Sequence, residues 1–238
     1  MNKTVSDIWN DIKDDVMEYL KDTEILSLIA HGSFAEGIAN RTSDFDLLVV
    51  CGESVEERIE VVVIHDIEVD IDFLHKETLV TQLESLDDLL KPGLIPPFAS
   101  RLKNAVILMD TDDTGKELVD MARQFEPSAQ LTDEYSRLGL SYYYDAVGAM
   151  ASGDYATSIH MARIGAVHVL AGILLNSGEL YVNKKWFIEL LNKNPSAPKE
   201  LFLQLMGLDN ADKEQAYQCI RELNRLISEF QHMREKDR

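Results

Sequence analysis

Val5, Ile8, Trp9, Ile12, Val16 and Leu20 recur at three- and four-residue steps with polar residues between them. That spacing puts them on one face of an amphipathic helix that lays its apolar side on a sheet. From Glu24 to His31 the chain turns apolar and stops at Gly32-Ser33, the signature of a buried strand running into a tight turn and a short helix. Asp44 to Cys51, Glu57 to Ile64 and Ile67 to Leu74 read as three further strands, with His65-Asp66 as the hairpin turn between the last two. Glu77 to Leu90 has helical spacing, Pro92-Gly93 and Pro96-Pro97 break the chain, and Ala105 to Met109 supplies a final edge strand that turns at Thr111 to Gly115.

Past Pro127 the alternation of strands gives way to longer periodic runs. Leu131 to Ala151, Tyr155 to Asn176, Lys184 to Asn192 and Asp212 to Met233 read as helices, separated by Gly153-Asp154, Ser177-Gly178 and the Pro195/Pro198 segment. The expected class is α+β, with a mixed sheet flanked by helices over residues 1–127 and an all-α bundle over residues 128–238. The length of 238 residues suits two modest cores. No internal repeat or low-complexity segment occurs in the sequence.

Composition narrows the setting. The chain lacks a basic start followed by an apolar run, and stretches such as Leu47 to Cys51 are much shorter than the ~20 apolar residues that span a bilayer. Cys51 and Cys219 are too few for a disulfide framework or a structural zinc site, so a reducing cytoplasm without membrane attachment is expected. With 42 acidic and 23 basic residues the formal charge is −19. Such a surface repels polyphosphate chains, which argues against long nucleic acid as a partner, and it favours a cationic small molecule.

The chemistry concentrates where His31-Gly32-Ser33 is followed, ten residues on, by Asp44-Phe45-Asp46 at the head of an apolar strand. Strand alternation sends Asp44 and Asp46 to one face and Phe45 and Leu47 to the other. Two like charges ~4 Å apart repel by about 4 kcal/mol at an effective dielectric near 20, so the pair needs a proton or a cation between its members. Hard carboxylate oxygens on a rigid strand suit Mg²⁺, which completes its shell from water and substrate phosphate. Gly32 lets backbone approach a phosphate, and the N–H groups and hydroxyl at Ser33 can cradle it. Glu68, Asp70 and Asp72 alternate on one face of the later strand and offer a third carboxylate.

Gly32-Ser33-Phe34-Ala35-Glu36-Gly37 together with Ser43-Asp44-Phe45-Asp46-Leu47 and the acidic strand resembles the nucleotidyltransferases of the polymerase-beta type. The motifs are similar to the minimal and aminoglycoside-modifying branches, and the helical second half is similar in order to the kanamycin and streptomycin/spectinomycin enzymes. The motif resemblance runs from about residue 24 to residue 75.

The resemblance implies metal binding at Asp44 and Asp46, phosphate binding at Gly32 and Ser33, and a third acid at Asp70, with Asp72 as second choice. It implies transfer of a nucleoside monophosphate, AMP first, from ATP or another NTP to a hydroxyl of a small, aminoglycoside-like acceptor, with Mg²⁺ or Mn²⁺ as cofactor. It also allows a homodimer, and it points to an acid near the acceptor for which Glu134 and Asp145 are the candidates. Nucleotidylation of a protein or RNA partner and a non-catalytic nucleotide-binding regulator are the other readings.

One departure stands out. Glu36 occupies a position where many minimal members carry arginine, so a basic phosphate partner must come from elsewhere, with Arg41, Arg163, Lys184 and Lys185 as the candidates. Lys184-Lys185-Trp186 resembles a lysine–tryptophan element of the related helical halves. His31 suits either a nucleotide contact or a structural hydrogen bond, and Tyr142, Tyr143, Tyr144, Tyr155, His160 and His168 are expected to pack the helical core or its interface.

Overall fold

The computed structural model describes residues 4–180, 182, 184–195, 197–208 and 212. Of the expected helix from Asp212 to Met233 all but Asp212 lies outside the described residues, as does Cys219.

Helix α1 (Val5–Tyr19) opens with a capping box in which Thr4 and Asp7 satisfy each other's backbone N–H groups. Its apolar face buries Val5, Ile8, Ile12 and Val16, with Leu20 just beyond, against Leu28, Phe45, Leu47, Val49, Val69, Ile71 and Phe73. These come from β1 (Ile25–Ala30), β2 (Phe45–Cys51) and β4 (Ile67–His75), which with β3 (Arg58–Ile64) and β5 (Val106–Asp110) form one sheet in the order β3-β4-β2-β1-β5. Only β2 and β4 run parallel; the other neighbours are antiparallel, so the sheet is mixed and β5 is an edge strand, as its sequence suggested. His65 and Asp66, both at positive φ, make the tight β3–β4 turn.

The opposite face of the sheet carries Ile29, Leu48 and Val50 under α3 (Lys76–Glu84), α4 (Leu86–Leu89), a 3-10 turn at Phe98–Arg101 and α5 (Thr114–Gln124). The single helix expected over Glu77–Leu90 is divided at Ser85, whose hydroxyl donates to the Thr81 carbonyl and competes with the backbone ladder. Helix α5 was not anticipated. The turn at Thr111–Gly115 starts it: the Asp110 carboxylate accepts from the N–H groups of Gly115 and Lys116 at 2.7 and 3.0 Å.

Helices α6 (Ala129–Ala151) and α7 (Tyr155–Asn176) pack along each other. Side chains at Gly139 and Gly165 would collide with Val169 and crowd Tyr142, so these glycines set the close approach. Helix α7 is long and apolar enough, by length and composition, to cross a membrane, which differs from the expectation of only short apolar stretches. A 3-10 turn at Lys184–Trp186 leads into α8 (Phe187–Lys193), and α9 (Lys199–Met206), which was not anticipated, follows Pro198. Among the described residues no strand occurs after β5.

Leu131, Leu175 and Leu180 belong to the same apolar cluster as Ile29 and Leu48, and Tyr135 donates its hydroxyl to the Leu90 carbonyl at 2.7 Å. The helical part therefore leans directly on the sheet's second face. His168 stacks on Tyr142 with ring centres 5.6 Å apart, in keeping with a packing role. His160, Tyr144 and Tyr155 are exposed on α6 and α7, and Tyr143, also exposed, lines an open apolar cavity with Gly139, Ala146 and Gly165, so none of the four fills the described core.

Candidate metal and phosphate site

The parallel register sets Asp46 of β2 directly beside Asp70 of β4, and Asp44 precedes β2 by one residue. Asp44, Asp46 and Asp70 each offer a carboxylate oxygen, and these oxygens lie within 4.8 Å of one another. Burial is the largest influence raising the Asp46 and Asp70 carboxyls above their usual range, and their acidic neighbours add to it. For Asp46, His31 and Arg101 pull the other way. Asp70 Oδ1 is buried without a hydrogen-bond partner. A crowded trio with raised proton affinity and an orphaned oxygen fits a divalent cation with hard oxygen ligands, which would neutralise the repulsion and satisfy that oxygen.

Gly32 is required twice over. Its φ is +64°, and a Cβ there would lie 1.9 Å from Asp46 Oδ2, so only glycine lets the turn close against the carboxylate. The His31 N–H donates to the Asp46 carbonyl at 3.1 Å, tying the end of β1 to β2, and α2 (Gly32–Ala35) starts immediately afterwards. Ser33 Oγ is buried and has no hydrogen-bond partner in the protein.

Asp72 lies outside the trio. It is buried, opposite Leu48 in the register, with its Oδ2 3.5 Å from His31 Nε2. The separation suits an ion pair, whereas the alignment makes no hydrogen bond, and both ring nitrogens of His31 are left without one. His31 meets the Phe98 ring edge-on, with centroids 4.7 Å apart. It is thus a buried group beneath the acids.

The remaining sequence candidates divide. Arg41 is exposed on the loop before Asp44 and lines a cavity of about 390 Å³ with Ser43, Asp44, Asp66 and Glu68. Arg163 donates to the Leu205 carbonyl at 3.3 Å, which holds it against α9. Lys185 is exposed and stands over the Trp186 ring, and the Lys184 side chain lies outside the described residues. Glu134 shares a small cavity with Asp87, Asp88 and Lys91, and Asp145 is exposed on α6.

Two groups were missed. Arg101 sends its positive field to Asp46 from the 3-10 turn after Pro96-Pro97, a stretch whose prolines read only as a chain break. Lys193 of α8 donates to the Glu36 carbonyl oxygen and lies 3.5 Å from its carboxylate, which also accepts from Asn104 Nδ2 at 3.0 Å. The acid at the unusual position therefore fastens α2 to the helical part. A lone lysine near a helix end carries no sequence signal for such a role.

Residues 10–102 match the sequence model of the nucleotidyltransferase domain. Among solved structures, the chain is similar to a nucleotidyltransferase-like protein from Exiguobacterium sibiricum 255-15, at 15% identity and a TM-score of 0.40, with 85% of this chain and 73% of that one covered. No curated protein matches the sequence.

Proposed function

We propose, from the premise that residues 10–102 are a nucleotidyltransferase domain of the polymerase-beta-type superfamily, that this chain moves a nucleoside monophosphate, AMP first, from an NTP to a hydroxyl of a small acceptor. The observation that carries the reading is the trio Asp44, Asp46 and Asp70, whose oxygens lie within 4.8 Å of one another beside the Gly32 turn. These three carboxylates would hold Mg²⁺, with Mn²⁺ as a substitute. When bound, the ion supplies a positive charge that orients the triphosphate and neutralises the leaving pyrophosphate.

The chain's own residues do the rest. Gly32 and Ser33 bring backbone N–H groups and a hydroxyl close to the phosphates, and Arg101 adds positive charge on the Asp46 side. The acceptor oxygen bonds to the α-phosphorus as the α–β bridging bond breaks and pyrophosphate leaves with the electron pair. Asp70, which stands beside Asp46 in the β2–β4 register, takes the hydroxyl proton on the carboxylate oxygen that does not hold the ion.

Pyrophosphate release measured with Mg²⁺, each of four NTPs and pooled acceptors tests the reading. Release by the wild-type protein that is lost in Asp44→Ala and with chelator is expected. Triphosphate binding without release across broad pools would replace transfer with a nucleotide-binding role.

A further inference from the structure

The acids of β4 have apolar neighbours. In the β3–β4 register Ile59 lies opposite Asp72, Val61 opposite Asp70 and Val63 opposite Glu68, so both rows occupy one face of the sheet. Ile59, Val61 and Val63 are 72%, 59% and 70% exposed. Three consecutive outward aliphatic positions on one strand are unusual for a surface that faces only water. The alternate residues Val62 and Ile64 pack on the α1 side, so the register is fixed and the exposed row is not a slipped core face.

The covering helices explain why the row stays open. Helices α3, α4 and α5 and the 3-10 turn close this side of the sheet over Ile29, Leu48 and Val50, and β3 lies at the far edge. Directly opposed side chains on antiparallel strands stand roughly 4.5–5.5 Å apart at Cβ, so Val61 flanks Asp70. A hydroxyl poised for in-line attack sits about 3–3.5 Å from the phosphorus. The rest of its molecule then lies within reach of the aliphatic row.

Charge selects further. Glu68 is exposed at the end of the acid row, outside the trio of Asp44, Asp46 and Asp70. Its carboxylate lines the neighbouring cavity together with Asp66 and is open to a ligand group.

We propose that the acceptor is an amphipathic amino alcohol, which lays an apolar ring or chain on Ile59, Val61 and Val63, directs its basic nitrogen to Glu68 and presents its hydroxyl over Asp70. This narrows the acceptor from cationic sugars to amines with an apolar body, and it rests on the nucleotidyl-transfer reading above. The bond changes are those of that reading, with the alcohol oxygen as the new partner of the α-phosphorus.

Pyrophosphate release is compared for naphthyl amino alcohols and for amino sugars without an apolar face. Release with the former is expected, with the acceptor KM raised about tenfold or more in Ile59→Ser/Val63→Ser while the NTP KM holds. Glu68→Gln should raise KM for the amine and leave that of the deaminated alcohol unchanged. Release with amino sugars alone, indifferent to these substitutions, overturns the proposal.

If neither pool gives release, the transfer reading fails separately, and the shelf is read by methyl NMR. Shifts of the Ile59, Val61 and Val63 methyls on titration with a naphthyl amino alcohol, in the presence of Mg²⁺ and a non-hydrolysable triphosphate, uphold the binding surface. Unmoved methyls at high probe concentration overturn it.

Discussion

The two faces of the sheet are built from the same strands and treat charge oppositely. On the α1 side, Val69, Ile71 and Phe73 of β4 join Ile8, Ile12 and Val16 in a closed apolar cluster. On the other side the intervening Glu68, Asp70 and Asp72 form an acid row that reaches from an exposed end to a buried one. The first face can be closed because burying aliphatic surface is favourable in itself. The second holds carboxylates whose mutual repulsion opposes folding, so the rigid apolar side is what keeps them close. Stability and chemistry are thus separated by one residue along a single strand.

Paired substitutions break that comparison most sharply. Asp46→Asn removes one carboxylate oxygen of the proposed metal site and a repelling charge together. Activity should fall by roughly 10³-fold or more, while the melting temperature without metal stays level or rises. Ile12→Ala on the opposite face should cost about 2–5 kcal/mol in urea unfolding, because Ile12 is fully buried, and leave the rate per folded molecule intact. A large loss of stability in Asp46→Asn would show that the carboxylate supports the fold and would undo the division of labour.

A pH series sharpens the same point at smaller scale. The Asp46 and Asp70 carboxyls are raised in the folded protein, by burial first and acidic neighbours next. The folded state therefore holds their protons more tightly than the unfolded chain does. Their contribution favours folding below the ordinary carboxylate range and is lost as pH rises from that range through the raised folded values. In chelator, unfolding free energy should fall across this window, and the fall should shrink in Asp46→Asn/Asp70→Asn. Mg²⁺ should abolish it in the wild-type protein, and a flat profile in chelator would mean that the trio is relaxed without a cation.

Much of this was legible in the chain. Val5 to Leu20 declared α1 through its period, and the apolar run before Gly32-Ser33 and the alternation at Glu68–Asp72 located β1 and β4. Asp44 and Asp46 were visible because strand alternation alone puts them together. The choice between Asp70 and Asp72 was not, since it depends on the parallel β2–β4 register, which aligns Asp46 with Asp70 and turns Asp72 towards His31. Arg101 and Lys193 were hidden for a similar reason: their partners Asp46 and Glu36 are remote in sequence. Helix α9 escaped because Pro195 and Pro198 read as a break, although Pro198 in fact precedes its first turn.

The smallest expected effect concerns how α1 is started. Asp7 N–H donates to Thr4 Oγ1 at 3.2 Å and Thr4 N–H donates to Asp7 Oδ2 at 2.8 Å, so the box satisfies two N–H groups that the first turn would otherwise leave to water. Thr4→Ala removes the hydroxyl and should cost about 1 kcal/mol in urea unfolding, with Thr4→Ser recovering most of it. Pyrophosphate release should be unaffected, because the cap acts on the α1 side and Ile8, Ile12 and Val16 still anchor the helix. A change in rate without a change in stability would mean that the start of α1 is felt at the acids, and the separation between the two faces would then be incomplete.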